Sequence, residues 1–318
     1  MTLVSKTFEL YGKTYTFESG ELAKQATGAC LVKQGDTTML DTVVVSKERK
    51  NYDFFPLTVD FNEKMYAAGR IPGGYLKREG RPSEKATLTA RMIDRPIRPS
   101  FPDGFRNEVH IVATSLVADQ VNPFDVINVM GASLAMTLGG VPFEGPLACV
   151  RIGRNVETGE FIVNPTYEED ANSDLDLTIA GTKDYISMVE AGAKEISEED
   201  MLAAMTFGQE AIAAFCDKQA EFIAKVNPTP MEYKLHTPAP EIAERVEPYF
   251  DRMSAALKDA DKLSRMGKVE DLKESLNTLT DAMQQLTDGS SKLYDGLNTL
   301  LEKSGELIAG INKLADGA

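Results

Sequence analysis

Residues 125–138 read DVINVMGASLAMTL, and the arrangement of the rest of the chain follows from them. The stretch is apolar almost all round rather than along one stripe, the pattern of a helix buried between two layers. Layers to bury it are encoded on either side. Runs rich in β-branched residues recur at Thr38 to Val45, Phe54 to Phe61, Val109 to Val117, Leu147 to Ile152 and Leu175 to Ala180, and several alternate as half-buried strands do. A longer covering helix opens at Ser197, whose hydroxyl suits an N-cap. Glu198, Glu199 and Asp200 fill its first turn, and apolar residues follow at helical spacing to Val226. Strands, then helices, then strands again predict an α+β core.

After Val226 the chain reads NPTPMEYKLHTPAP, in which four prolines deny the backbone the donors that a sheet or helix needs; this predicts a linker. Ile242 to about Ser275 is charged and favours helix. From Leu272 to Ala318 mostly apolar residues then recur at intervals of 4 and 3 without a break, a strict heptad seam. Leu opens each unit and Gly usually sits fourth. The five glycines 289, 296, 305, 310 and 317 cost roughly 5 kcal/mol of helix propensity relative to Ala, so this tail is expected to need a partner helix.

The 318 residues suit about two domains. Thirty-four basic against 49 acidic side chains give a net charge of −15, which excludes a protein that coats nucleic acid or anionic membrane by bulk charge. Any RNA contact must be a local patch. Cys30, Cys149 and Cys216 stand far apart and the histidines are His110 and His236, so neither a disulfide framework nor a Cys/His zinc site is expected. No run of 18 apolar residues and no basic n-region with an apolar h-region occurs, which places the expected location in a reducing cytoplasm with no membrane span.

The patch is at residues 71–102, IPGGYLKREGRPSEKATLTARMIDRPIRPSFP. Seven basic and three acidic residues between Lys77 and Arg98 give a local charge of +4. Gly73 and Gly74 permit a tight turn, Tyr75 offers a flat face on which a base can stack, and Lys77, Arg78 and Arg81 can meet phosphates. Arg91, Arg95 and Arg98 follow 4, 3 spacing, although Pro96 argues against one helix carrying all three. The plainer reading is a solvated loop and helix laced with local ion pairs.

Four motifs in order, IPGGYLKREGRPSE, RMIDRPIRPSFP, SLAMTLGGVPFEGP and DLDLTIAGTKDYISMVEAGAKEISEEDMLAA, resemble the first RNase PH-like core of bacterial polynucleotide phosphorylase. ADKLSRMGKVEDLKE looks like the helices that follow that core in the family, so the resemblance covers about residues 1 to 275. It implies an RNase PH-like core of βαβ-type halves over 1–226, a Pro-rich linker and helical region over 227–275, and a heptad tail over 276–318. It also implies a homo-oligomer, a trimeric ring, that degrades single-stranded RNA from its 3′ end by phosphorolysis; DNA is not an expected partner. Mg²⁺ and inorganic phosphate are expected for the full-length family. The loop of Tyr75, Leu76, Lys77 and Arg78 matches the family's RNA-gripping loop, whose commoner pattern is two aromatics followed by two arginines, so that Leu76 replaces one aromatic. That substitution removes one stacking platform, worth about 1–3 kcal/mol per base.

In the family, catalysis belongs to a second core. Aligned internally, that core's phosphate-binding serines correspond here to Pro123, Phe124 and Asp125, and its catalytic lysine to Thr178, with only Asp170 and Asp176 as candidate carboxylates. The resemblance therefore implies an RNA-channel portion without catalytic, phosphate or metal residues of its own. The heptads resemble instead the Leu-x-x-Gly repeats of phage infection protein (YhgE/Pip-type) membrane proteins, from which a truncated or misjoined product is expected. The competing expectation is a non-enzymatic RNA-binding or coiled-coil interaction protein. His110 reads as a satisfied core or edge histidine, Cys149 as a small core residue, and Met130 and Met136 as packing.

Overall fold

The computed structural model describes residues 3–49, 52, 54–237 and 240–278, with positions 285, 289, 290, 292–295, 299, 303 and 304. Two compact units divide the chain between Thr237 and Pro238. The first holds two sheets. Strands β1 (Val4–Leu10), β2 (Lys13–Ser19), β3 (Gly28–Gln34), β4 (Thr37–Arg49), β5 (Leu57–Asn62) and β6 (Asn107–Val117) form a six-stranded sheet in the order β1-β2-β3-β4-β6-β5. All its neighbours are antiparallel except β5 and β6, which are joined through helix α1 (Glu84–Ile97) in a βαβ unit. The second, antiparallel sheet has the order β10-β9-β7-β8, from β7 (Ala148–Asn155), β8 (Phe161–Val163), β9 (Ser173–Gly181) and β10 (Ile186–Ala193), with the short helix α3 (Tyr167–Ala171) before β9. The expected strand at Phe54 begins only at Leu57, because Pro56 cannot donate to the ladder.

Helix α2 (Asp125–Leu138) has the expected bounds, and all of it except Thr137 is buried. It lies against β3 so closely that a Cβ on Gly28 would stand 2.0 Å from the Ala135 carbonyl oxygen; only glycine allows the approach. Its other side reaches the second sheet, where the Ser133 hydroxyl accepts the Leu147 N–H at 2.9 Å. Helix α4 (Glu198–Val226) is capped by Ser197, whose Oγ accepts the Asp200 N–H at 3.1 Å. It also joins the layers. Gly208 meets Ile179 and Ile152 of the second sheet, while the Phe215 ring meets Tyr15 at 4.9 Å and Phe222 meets Phe17 at 5.9 Å on the first. These four aromatic rings are fully buried, and each contributes about 2 kcal/mol by leaving water.

The Pro-rich stretch belongs to this unit as far as Thr237. It forms no regular element but is laid on the core. Met231 N–H donates to the Gly140 carbonyl at 2.9 Å, His236 N–H donates to the Gly104 carbonyl at 2.7 Å, and the Tyr233 ring meets Phe105 edge-on at 5.8 Å. Proline denies internal ladder bonds, not bonds from the residues between prolines to a neighbour.

The second unit is helical: α5 (Pro240–Val246), a 3₁₀ turn Glu247–Tyr249, α6 (Phe250–Leu257) and a helix over 262–278. Asp259 ties the turn between the last two. It accepts from Lys268 Nζ at 2.5 Å, Ser264 Oγ at 2.7 Å and the Asp261 N–H at 3.0 Å, which bring its carboxyl pKa down to about 2. Of the heptad seam, Leu272, Leu276, Ser290, Leu293 and Ser304 are described, each helical; the rest lies outside the described residues.

Candidate nucleic-acid interface

Between β5 and α1 the chain makes a long excursion over residues 63–83. Its base is fastened to the sheet: Lys64 N–H donates to Ser115 Oγ at 3.0 Å, and Ala118 N–H to the Ala67 carbonyl at 2.9 Å. Ser83 ends it as the N-cap of α1, accepting the Ala86 N–H at 3.0 Å. The tip stands in solvent, with Ile71 78%, Tyr75 98% and Leu76 75% exposed. Lys77 has a φ of 51°, a left-handed conformation that costs a residue with a Cβ about 1–2 kcal/mol. Such strain gathers at functional loops.

A cleft of about 860 Å³ runs beneath this loop, lined among others by Lys64, Arg70, Arg81, Lys85, Phe124 and Tyr167. Lys85 Nζ sits 4.6 Å from the Phe124 ring centroid and 5.6 Å from that of Tyr167, so its charge rests on aromatic faces. Among the described residues, Lys64, Arg70, Lys77, Arg78, Arg81, Lys85 and Arg91 have no carboxylate partner.

The other two expected arginines are engaged. One helical run carries the series despite Pro96: α1 includes Arg91 and Arg95, and Arg98 is its C-cap, still helical, with its N–H on the Asp94 carbonyl. Pro96 lies in the last turn, where its missing donor costs a single bond. Arg95 Nη1 pairs with Glu190 of β10 at 3.3 Å. Arg98 forks onto Asp94, Nη2 to Oδ1 at 2.6 Å and Nε to Oδ2 at 3.1 Å, and also donates to the carbonyls of Leu57 and Phe55. Its donors hold the entrance of β5.

A second cluster forms where α2, β7 and β9 converge, beside a cavity of about 520 Å³. The strand register sets Arg151 opposite Thr178, and Gly153 opposite Asp176, which puts Arg151, Thr178 and Asp176 on one face of the sheet. Arg151 Nη2 bonds Asp125 Oδ2 at 2.8 Å, while Nε lies 3.0 Å from Asp176 Oδ1 and 3.4 Å from Thr178 Oγ1. Burial opposes the guanidinium charge, but Asp125 and Asp176 outweigh it and raise the pKa above its ordinary value. Burial, then the nearby Asp176 charge, raises the Asp170 carboxyl. The structure thus brings together Asp125, Asp170, Asp176 and Thr178, around an arginine that the sequence reading gave no role.

That arrangement does not fit the family's Mg²⁺ and phosphate. The position between the carboxylates is held by a guanidinium bonded to both Asp125 and Asp176. The N-terminus of α2, where an anion could be bound, is occupied by the Asp125 carboxylate, whose Oδ1 accepts the Val126 N–H at 3.0 Å. The remaining candidates are structural. His110 Nε2 meets Asp60 Oδ2 at 2.7 Å on the outer face of the first sheet. Burial raises the Cys149 thiol, which keeps it an inert core residue, and Met130 and Met136 are fully buried. Among the described residues no helix is long and apolar enough to cross a membrane.

Comparison with known proteins agrees with this architecture. The family model "3' exoribonuclease family, domain 1" matches residues 12–142, and "3' exoribonuclease family, domain 2" matches residues 145–211. The crystal structure of rice (Oryza sativa) Rrp46 superposes with a TM-score of 0.53 at 14% identity, over 65% of this chain and 94% of that one, a likeness of fold. The polyribonucleotide nucleotidyltransferase of Listeria welshimeri is 48% identical over 269 residues, 84% of this chain and 37% of the relative. That of Enterococcus faecalis is 47% identical over 266 residues, 83% of this chain and 38% of the relative. The chain therefore spans less than two fifths of the length of these relatives. With both domain models matched in order on a fold of the same kind, the chain belongs to the 3′ exoribonuclease family, with polyribonucleotide nucleotidyltransferases among its relatives.

Proposed function

We propose that the chain is the RNA-gripping portion of a phosphorolytic 3′→5′ exoribonuclease of mRNA degradation, working in the cytoplasm as a homo-oligomer, in the family manner a trimer. The reading is carried by the loop whose cations have no carboxylate partner among the described residues, in a protein of net charge −15. In water such charges cost little to leave unpaired, and a phosphodiester chain supplies their partner with release of counterions. Single-stranded RNA runs over the tip and into the cleft. Tyr75 stacks a base, Lys77, Arg78 and Arg81 meet successive phosphates, and Arg91 extends the path along α1. Arg95 and Arg98 shape that path from behind, through Glu190 and Asp94.

The phosphorolytic step, in which inorganic phosphate attacks the terminal phosphodiester with Mg²⁺ and releases a nucleoside diphosphate, belongs to residues outside this chain. The cluster in which Arg151 is bonded to both Asp125 and Asp176 supports that division. Incubation of the chain with poly(A), inorganic phosphate and Mg²⁺ tests it directly. No phosphate-dependent nucleoside diphosphate is expected; measurable release would refute the division.

A further inference from the structure

The loop carries two acids among its cations, and both are engaged elsewhere. Glu79 Oε1 accepts the Met65 N–H at 3.0 Å, from one stem of the loop to the other. Glu63 Oε2 accepts the Ser83 hydroxyl at 2.9 Å, and that hydroxyl in turn caps α1. Each bond crosses the neck between residues 63–65 and 79–83. Neither carboxylate meets Arg70, Lys77, Arg78 or Arg81, although Glu79 lies between Arg78 and Arg81 in sequence.

The simplest role for an acid among phosphate-binding cations is repulsion, which weakens binding. The geometry points to a different one: we infer that Glu79 is a positioning residue whose carboxylate closes the neck of the loop, so that Tyr75 and the flanking cations are presented as a set to single-stranded nucleic acid. The inference rests on the reading of this loop as the RNA grip. It has a physical basis in the tip itself. Residues 71–78 are almost wholly exposed, with only a local turn at Tyr75–Leu76 and Lys77 at a left-handed φ of 51°, so the tip packs against nothing among the described residues that would hold it in place and its placement depends on the stems. Of the two bonds across the neck, the Glu79 one is lost when its acceptor is removed; the neck then loosens, and the ordering cost falls on the RNA-bound state.

Two substitutions at one position separate the roles. Glu79→Gln removes the charge and keeps an oxygen that can accept the Met65 N–H; Glu79→Ala removes both. Pure repulsion predicts that both variants bind a fluorescent oligo(A) more tightly, and equally. Positioning predicts that Glu79→Ala binds about tenfold more weakly than Glu79→Gln, the effect of losing one hydrogen bond to the neck. Amide hydrogen exchange at Met65 is expected to be faster in the alanine variant than in the glutamine variant. Equal affinities for the two variants would overturn the inference. The pair Lys77→Ala and Arg78→Ala, measured in parallel, tests the underlying reading. If they weaken binding while the two Glu79 variants agree, only the positioning role fails; if they leave binding unchanged, the RNA grip itself is wrong.

Discussion

The cations of the loop over 63–83 and the guanidinium of Arg151 lie on the same compact unit, yet among the described residues only the second is matched by carboxylates. Solvent explains the difference. Lys77, Arg78 and Arg81 are exposed, so water solvates them and no partner is required. The Arg151 side chain is 13% exposed and that of Asp125 10%; taken out of water, each needs the other. Asp41 of β4 makes a third case. It is fully buried, beside Gly131 of α2, and neither carboxylate oxygen has a hydrogen-bond partner among the described residues, so burial lifts its pKa far above the carboxylate range. An exposed charge is available to a polyanion, a buried pair is closed to other ions, and a buried acid without a partner is held neutral.

The contrast is broken most forcefully at Arg151. Arg151→Leu strands the Asp125 carboxylate and is expected to cost about 3 kcal/mol in urea unfolding, whereas Lys77→Ala should stay within about 0.5 kcal/mol of the parent. Equal stabilities for the two would mean that the cluster is not structural. Asp41 gives the next effect. Its folded pKa is raised, so the stability it allows is complete below the unfolded carboxyl pKa of about 4 and declines as pH rises toward the folded value, by about 1.4 kcal/mol per pH unit. Asp41→Asn should remove that slope, and matching slopes in parent and variant would show that Asp41 is not held protonated. A smaller test compares two arginines on α1. Arg91→Ala should reduce the salt dependence of RNA binding, while Arg95→Ala should leave it alone and cost at most about 1 kcal/mol of stability through Glu190. The reverse pattern would reassign the path along the helix.

Local features were legible from sequence where one segment carries its own signal. Helix α2 declared itself by being apolar all round, and α4 by Ser197 and the three acids after it. The exposed basic loop was legible for the same reason, since neither its charge nor its glycines depend on distant residues. What stayed hidden was pairing at long range. Arg151 is one of two arginines within the strand ACVRIGRN, and its partners Asp125 and Asp176 come 26 and 25 positions away through the α2 approach and the β7–β9 register. Arg95 and Arg91 look alike in the helical spacing, and only the position of β10 gives one of them Glu190. The Pro-rich segment read as a linker because its bonds to Gly104 and Gly140 are tertiary.

The most direct test of the unpaired-cation grip is the salt dependence of oligo(A) binding, compared between the parent chain and the triple variant Lys77→Ala, Arg78→Ala, Arg81→Ala. For single strands each phosphate contact contributes about −0.7 to the slope of log K against log salt, so the triple substitution is expected to flatten the slope by about 2. An unchanged slope would mean that the exposed cations are a solvated face, and the account of this loop as the RNA grip would be wrong.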